Sequence, residues 1–199
     1  MLYDNLSSGN AYKVRLMLHK RGLPYTRIEM DIDTGATRTA EFLALNPDGR
    51  VPLLVLDDGT KLPESNAILA FLAKGTDLLP DNANDFAQVL RWLFWEQYSH
   101  EPNIATVRYW ITHKVEMTAY RELAMADKRA RGIAALGVME THLAANDFFA
   151  AGRFTIADIA LYAYTHVAEE GGFDLSPYPA LRAWLARVAA QPRHMPITA

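Results

Sequence analysis

The chain of 199 residues contains no cysteine. That absence excludes structural disulfides, thiolate-bound zinc and a cysteine nucleophile, and it fits a reducing compartment. No apolar run approaches the ~18 residues that a membrane-spanning helix needs. Met1-Leu2-Tyr3 reads directly as a strand, with no basic and then apolar leader pattern, so the expectation is a cytoplasmic protein. Positive charge is also in short supply. Lys and Arg total 20 against 23 Asp and Glu, the formal charge is -3, and no basic block occurs, which argues against a nucleic-acid partner. His19, His100, His113, His142, His166 and His194 lack metal-ligand spacing. Walker loops, dinucleotide-binding glycine fingerprints and nucleophile elbows are absent too. What remains is a chain that is 50% apolar, enough to bury a substantial core.

The first third alternates strand and helix patterns. Met1–Tyr3 reads as a strand, residues 10–20 as a helix with Val14, Met17 and Leu18 on one face, and residues 25–30 as a half-buried strand. Residues 39–45 read as a short helix ended by Asn46-Pro47. Residues 53–56 and 61–62 flank Asp57-Asp58-Gly59, a hairpin signal. Residues 65–72 close the unit as a helix, giving the order β-α-β-α-β-β-α and a mixed sheet covered by helices. Residues 74–82 carry Gly, Pro, Asp and Asn without periodicity, which marks a boundary between a domain at 1–75 and an all-helical one at 83–199. In the second domain an aromatic-rich helix runs over 83–113, with Glu101-Pro102 as an expected kink. Further helices are expected near 117–145, over 156–167 and around Leu181, Trp184, Leu185 and Val188.

Three stretches can carry chemistry. In the first, Ser7-Ser8-Gly9-Asn10 follows a strand and opens a helix, where a hydroxyl or amide donor can meet an anion or lower the pKa of a thiol. Helix capping by Ser8 or Asn10 is the plainer role, and both can hold together. The second is Val51-Pro52. A proline before a strand donates no N–H, and a cis bond here would turn the Val51 backbone toward a cleft, where an extended peptide could pair. Only ~5–6% of X–Pro bonds are cis, so on the dipeptide alone a strand-opening trans proline is the ordinary reading. In the third stretch, Pro63-Glu64-Ser65-Asn66 places an acid and a hydroxyl at a helix start, a match for the carboxylate and ammonium of an amino acid. An ordinary cap preceded by a surface acid is the alternative. Thr155-Ile156-Ala157-Asp158 reads as a capping box, with Phe154 and Ile159 as its hydrophobic staple and Asp158 as a structural acid.

Taken together with Asn46-Pro47-Asp48-Gly49-Arg50-Val51-Pro52 and Phe154-Thr155-Ile156-Ala157-Asp158, these stretches make the chain resemble the cytosolic glutathione transferase family over essentially its full length. The resemblance implies a thioredoxin-like N-terminal domain, an all-α C-terminal domain, a homodimer and a cis Val51–Pro52 bond. It implies that Val51 meets the cysteinyl backbone of glutathione and that Glu64 and Ser65 hold its γ-glutamyl end. Arg50, with Arg38, would meet the glycine carboxylate. Ser8 falls where theta-, delta- and zeta-like members keep a thiol-activating serine, and Asn10 where some bacterial and fungal members rely on an asparagine. A cysteine of the beta-type loop is missing, and the Ser-Ser-Cys motif of zeta isomerases becomes Ser8-Gly9-Asn10. The expected activity is attack of an activated glutathione thiol on an apolar electrophile, without a metal. Leu6, Tyr98, Tyr109 and Trp110 would line the co-substrate pocket between the domains, and Glu96 would reach the partner's γ-glutamyl amine. Alternatives are glutathione-dependent reduction of disulfides or peroxides, and a non-catalytic glutathione-binding or docking dimer.

Overall fold

Short strands set up the N-terminal unit. β1 (Leu2–Asp4) buries Leu2 and Asp4 and leaves Tyr3 half-buried. The computed structural model describes residues 1–199, and they form two units: Met1–Lys74 with Pro192–Ala199, and Gly75–Gln191. In the first unit β1 sits between β2 (Arg27–Glu29) and β3 (Leu53–Val55), and β4 (Lys61–Pro63) completes a four-stranded sheet of order β2-β1-β3-β4. β1 pairs parallel to β2, with Leu2 opposite Arg27, and antiparallel to β3, with Leu2 opposite Leu54. A parallel pair needs a crossover connection, and α1 (Gly9–Arg21) provides it. β3 and β4 form a hairpin whose turn is closed by the Thr60 N–H donating to the Asp58 carboxylate, with Gly59 at φ +84°. α2 (Ala40–Leu45) places Phe42 against Met30 and Leu53, with Tyr3, Ile28 and Leu45 around them, and α3 (Ser65–Ala73) follows the hairpin. The result is the thioredoxin-like order βαβαββα.

Helix α1 is buried from Ala11 to Leu18, charged Lys13 and Arg15 included, rather than on the single face that Val14, Met17 and Leu18 mark in the sequence. The C-terminal segment explains part of this. Pro192–Ala199, expected with the helical domain, belongs instead to the first unit. The Tyr12 hydroxyl donates to the Met195 carbonyl at 2.6 Å, Arg15 Nη2 to the Ile197 carbonyl at 2.8 Å and Lys20 to the Pro192 carbonyl at 3.0 Å. Pairing of these backbone carbonyls draws the segment onto α1.

The second unit is helical: α4 (Ala83–Trp95), α5 (Glu101–Thr112), α6 (Ala119–Leu143), α7 (Ile156–Thr165) and α8 (Pro179–Ala189). Where a kink is expected at Glu101-Pro102, the helical path instead changes winding just upstream. Glu96–His100 form a π-helical turn, and Pro102 lies in the first turn of α5, where its missing N–H leaves no gap in the ladder. Asn103 Nδ2 donates to the Ser99 carbonyl at 2.6 Å and serves one of the backbone groups at this junction. α7 is buried along its whole length, as an apolar helix with no polar face must be. None of the helices is long and apolar enough to cross a membrane.

Candidate functional site

Strand register decides where the three stretches meet. Tyr3 lies opposite Leu53, and Leu53 opposite Pro63. The loop after β1, the Val51–Pro52 step before β3 and the Glu64–Ser65 step after β4 therefore emerge at the same edge of the sheet. At that edge start two helices, α1 and α3, whose first N–H groups lack intrahelical partners and carry partial positive charge.

The β1–α1 loop is tied down at almost every residue. The buried Asp4 carboxylate accepts from Arg15 Nη1 at 2.7 and 2.8 Å and from Arg27 Nε at 2.6 Å. Arg15 Nη2 also donates to the Leu6 carbonyl at 3.0 Å, so one guanidinium joins β1, the loop and the C-terminal segment. Asn5 Nδ2 donates to the Met30 carbonyl and Ser7 Oγ to Asn5 Oδ1. The loop ends in Ser8, the N-cap of α1, whose Oγ accepts the Ala11 N–H at 3.2 Å. Capping uses a lone pair and leaves the hydroxyl hydrogen able to donate.

In the first turn of α1, Asn10 Oδ1 accepts from Ser65 Oγ at 3.2 Å. That single contact joins the two helix starts across 55 residues of sequence. Glu64 stands in the cap position of α3 at φ +69°, a backbone conformation uncommon for a residue with a Cβ, and its side chain is exposed. Strain of this kind persists where surrounding structure fixes the residue, often at a ligand site. Ser65 is buried. The Val51–Pro52 bond is cis. Ahead of it, Asn46 Nδ2 donates to the Arg50 carbonyl at 2.9 Å and Asn46 Oδ1 accepts the Asp48 N–H. Arg38 Nη1 donates to the Asp48 carbonyl at 3.2 Å, and Gly49 at φ +59° makes room for it, since a Cβ there would lie 2.5 Å from that nitrogen. Arg38 and the exposed Arg50 thus flank one loop.

Leu6 is partly exposed on the β1–α1 loop, its N–H donating to Glu29. The aromatic residues named with it in the sequence belong to the second unit. Tyr98, 87% exposed, opens onto a cleft of about 270 Å³ with Trp95, Asn103, Arg131 and Val138. Tyr109 is not among the walls of that cleft. It lies about 16 Å further along the helical path and packs its ring 4.2 Å from that of His113. Glu96, expected to reach a second subunit, is fully buried in its own unit, where it accepts from Gln97 Nε2 at 2.8 Å. A side chain so enclosed has no path to a partner.

Sequence reasoning overlooked Lys13. It is completely buried, and its ammonium donates to Ser65 Oγ at 3.4 Å and Asn66 Oδ1 at 3.3 Å. The available signal was its position three residues after Asn10, on the same helix face. Asp158 is structural, as its capping box implied. It is fully buried, its two oxygens take four donors, and burial raises its pKa to about 6. No group of three or more His, Asp or Glu side chains is placed to hold a metal ion.

Comparisons with known proteins bear on the family of the chain. The family model "Glutathione S-transferase, N-terminal domain" matches residues 7–74, and "Glutathione S-transferase, C-terminal domain" matches residues 101–192. Glutathione S-transferase 3 of Zea mays is 34% identical, over 96% of this chain and 89% of that protein. Protein URE2 of Eremothecium gossypii is 30% identical over 96% of this chain, which spans only 65% of that longer protein. Among solved structures, a glutathione S-transferase from Pseudomonas fluorescens superposes with a TM-score of 0.96 at 49% identity, covering 100% of this chain and 98% of that one. Ure2p in complex with glutathione superposes with a TM-score of 0.87 at 25% identity, covering 96% and 94%.

Proposed function

The chain belongs to the glutathione S-transferase family, and on that premise we propose that it binds glutathione at the edge where α1 and α3 begin and activates its thiol for attack on an apolar electrophile. The observation that carries this reading is the Ser65–Asn10 contact, which brings two helix N-termini and their donors onto one small surface. In the proposed complex the first N–H groups of α3 receive the γ-glutamyl carboxylate, and the exposed Glu64 carboxylate receives the neighbouring ammonium. Val51 pairs its backbone with the cysteinyl unit in the manner of an added strand. Arg50, with Arg38, meets the glycine carboxylate.

An unperturbed thiol has a pKa of ~8.5, so only a few per cent is ionised at neutral pH. The Ser8 hydroxyl and the Asn10 amide, together with the start of α1, are the donors we assign to the thiolate. Lowering the thiol pKa by two units requires about 2.7 kcal/mol, within reach of one or two hydrogen bonds to a charged sulfur at about 1.5–3 kcal/mol each. The test is a pH titration of thiolate absorbance for bound glutathione in the wild-type, Ser8→Ala and Asn10→Ala proteins. A thiol pKa well below the free value, raised again by one of the substitutions, supports the reading and identifies the donor. Clear binding with an unshifted pKa would instead favour a binding or docking role, a reading that the similarity to URE2 proteins keeps in view. With no cysteine of its own, the protein would leave both sulfurs of a disulfide reduction to be supplied by substrates, so a small disulfide and a hydroperoxide belong beside a haloarene in the activity assay.

A homodimer is proposed as well. Phe94, Tyr98, Ile133 and Val138 are 44–87% exposed on α4, the turn after it and α6, and Tyr98 and Val138 line the same cleft. Such a surface is suited to burial against a second copy. Sedimentation showing only monomer at micromolar concentration would refute this.

A further inference from the structure

A backbone group that pairs with a ligand has to be aimed as well as open, and at Val51 the aim is set by a neighbour. The Val51 N–H and C=O enter no hydrogen bond within the protein. The cis bond lies after Val51, so the Arg50–Val51 bond before it is trans. A planar trans peptide directs its C=O and its N–H to opposite sides. Whatever holds the Arg50 carbonyl therefore decides where the Val51 N–H points. Asn46 holds it, with Nδ2 donating to that carbonyl at 2.9 Å. Oδ1 of the same side chain accepts the Asp48 N–H at 3.3 Å. Both partners are backbone groups with a single role, a carbonyl that only accepts and an N–H that only donates, so the Asn46 amide has one way round. Its own backbone is tied as well. The Asn46 N–H donates to the Phe42 carbonyl in α2 at 2.9 Å, and the Asn46 C=O accepts the Gly49 N–H at 2.9 Å. Asn46 is 3% exposed, so water does not compete with these bonds as it would at the surface. Closing the turn needs only the bonds from Asp48 and Gly49. The Nδ2 bond reaches further, to the peptide that opens Val51, and by drawing the Arg50 carbonyl inward it directs the Val51 N–H out of the turn.

We propose that Asn46 is a positioning residue for the site: by holding the Arg50 carbonyl, it presents the Val51 N–H to the cysteinyl carbonyl of bound glutathione. The inference rests on the glutathione-binding reading above and deepens it, since it names the side chain that prepares the strand-like pairing before the ligand arrives. Asn46 touches neither ligand nor thiol. Its effect falls on the middle of the tripeptide, while the γ-glutamyl end at α3 and the glycine end at Arg50 are served by other groups. Fixing the peptide in advance removes an ordering cost that binding would otherwise carry. Arg38 steadies the same turn through the Asp48 carbonyl at 3.2 Å.

Three ligands separate the parts of this site. S-methylglutathione carries all of them. γ-Glutamyl-S-methylcysteine amide lacks the glycine and keeps the cysteinyl carbonyl. γ-Glutamylmethylamide lacks the cysteinyl carbonyl as well. The variant is Asn46→Asp, which is nearly isosteric. It keeps an acceptor for the Asp48 N–H and sets a second oxygen where Nδ2 met the Arg50 carbonyl, so that two acceptors face each other. Affinities are read by calorimetry and, for the smallest ligand, by NMR titration at millimolar concentration. S-methylglutathione and the cysteine amide are each expected to bind about tenfold more weakly than to the wild type, the scale of one backbone hydrogen bond. γ-Glutamylmethylamide is expected to bind as before. Equal weakening of all three would overturn the inference, because Asn46 would then support the whole edge rather than one peptide. Weakening confined to S-methylglutathione would overturn it too, placing the effect at the glycine end through Arg50. So would unchanged affinity for all three. Failure of the wild type to bind S-methylglutathione would instead bring down the glutathione-binding reading, and the role of Asn46 with it. Should Asn46→Asp fail to fold, Asn46→Ala removes the donor without opposing the carbonyl. It is expected to weaken the same two ligands roughly threefold and to spare the third.

Discussion

Replacing Asp158 by Asn sets burial against hydrogen bonding, with the balance readable by pH. The two carboxylate oxygens divide their work. Oδ1 accepts the Phe149 N–H at 3.1 Å and Trp184 Nε1 at 2.9 Å, while Oδ2 accepts the Thr155 N–H at 2.8 Å and the Thr155 hydroxyl at 3.2 Å. An amide placed with its oxygen at the first position keeps Phe149 and Trp184 and turns N–H₂ onto the two Thr155 donors, so the capping box is lost. Two bonds to a charged acceptor, at about 1.5–3 kcal/mol each, amount to about 5 kcal/mol. Against that stands relief from burying a charge, and burial outweighs the bonds: with all four donors in place the Asp158 pKa is still raised from 3.8 to about 6, a net of about 3 kcal/mol against the ionised form. The loss expected at pH 7 is then that of leaving the buried Thr155 donors without an acceptor, about 2 kcal/mol, a fall in Tm of about 4–8 °C for a chain of this size.

The pH dependence supplies the refutation. A carboxyl whose folded-state pKa lies above its unfolded value contributes stability that is fully present below pH 3.8 and lost as pH rises through about 6. Between pH 7 and pH 5 wild-type protein therefore regains about 1 kcal/mol that the asparagine variant cannot, and the gap in stability widens. Urea unfolding of both proteins at the two pH values measures it. A gap that narrows at pH 5 would mean that the four donors outweigh burial, and that the folded carboxylate has a lowered pKa.

Other expectations follow from close approaches and from the loop that bears Ser8. A Cβ on Gly132 of α6 would lie 2.6 Å from the Phe173 ring, whereas Gly137, one and a half turns on, has nothing within 4 Å. Gly132→Ala should lower stability by about 1–3 kcal/mol through overpacking, and Gly137→Ala should raise it by up to about 1 kcal/mol through helix propensity; equal effects in thermal melts would contradict this packing. Arg15→Lys keeps one charged nitrogen for Asp4 but removes the Nη2 bonds to the Leu6 and Ile197 carbonyls, at a cost of about 3 kcal/mol, and should expose Pro192–Ala199 to limited proteolysis before the fold melts. Glu64→Gly relieves a residue held at φ +69°, so Tm should hold steady or rise while glutathione affinity falls. A marked loss of Tm would show that Glu64 is not strained.

Which parts of this arrangement the sequence reveals depends on how far apart the interacting residues lie. The strand and helix order of the first unit is written in local signals: apolar alternation near Tyr25, the stop at Asn46-Pro47, the Asp57-Asp58-Gly59 turn. Each acts within a few residues, and each element appears in its expected place. Ser8 as cap of α1 and Thr155-Asp158 as cap of α7 are legible for the same reason. Where a distant partner intervenes, the local reading falls short. Lys13 and Arg15 look like the wet side of an amphipathic helix until Ser65 and Asn66 cover one, and Asp4 with the Pro192–Ala199 segment the other. Pro102 signals a break, but the widened turn it is associated with forms over Glu96–His100, and its effect on Tyr98 and Tyr109 is invisible in a list of aromatics.

The same distinction bears on how the site tolerates change. Its outline depends on backbone: strand register brings three loops to one edge, and the helix starts supply N–H groups whatever their side chains are. Its chemistry depends on side chains that meet across the fold, with Asn10, Lys13 and Ser65 drawn from two helices. On the proposed reading, a substitution such as Ser65→Ala leaves the outline intact and removes the Ser65–Asn10 contact between the two helix starts. Glutathione binding without a lowered thiol pKa is therefore the outcome expected of a chain that keeps the backbone outline and loses one of these side chains.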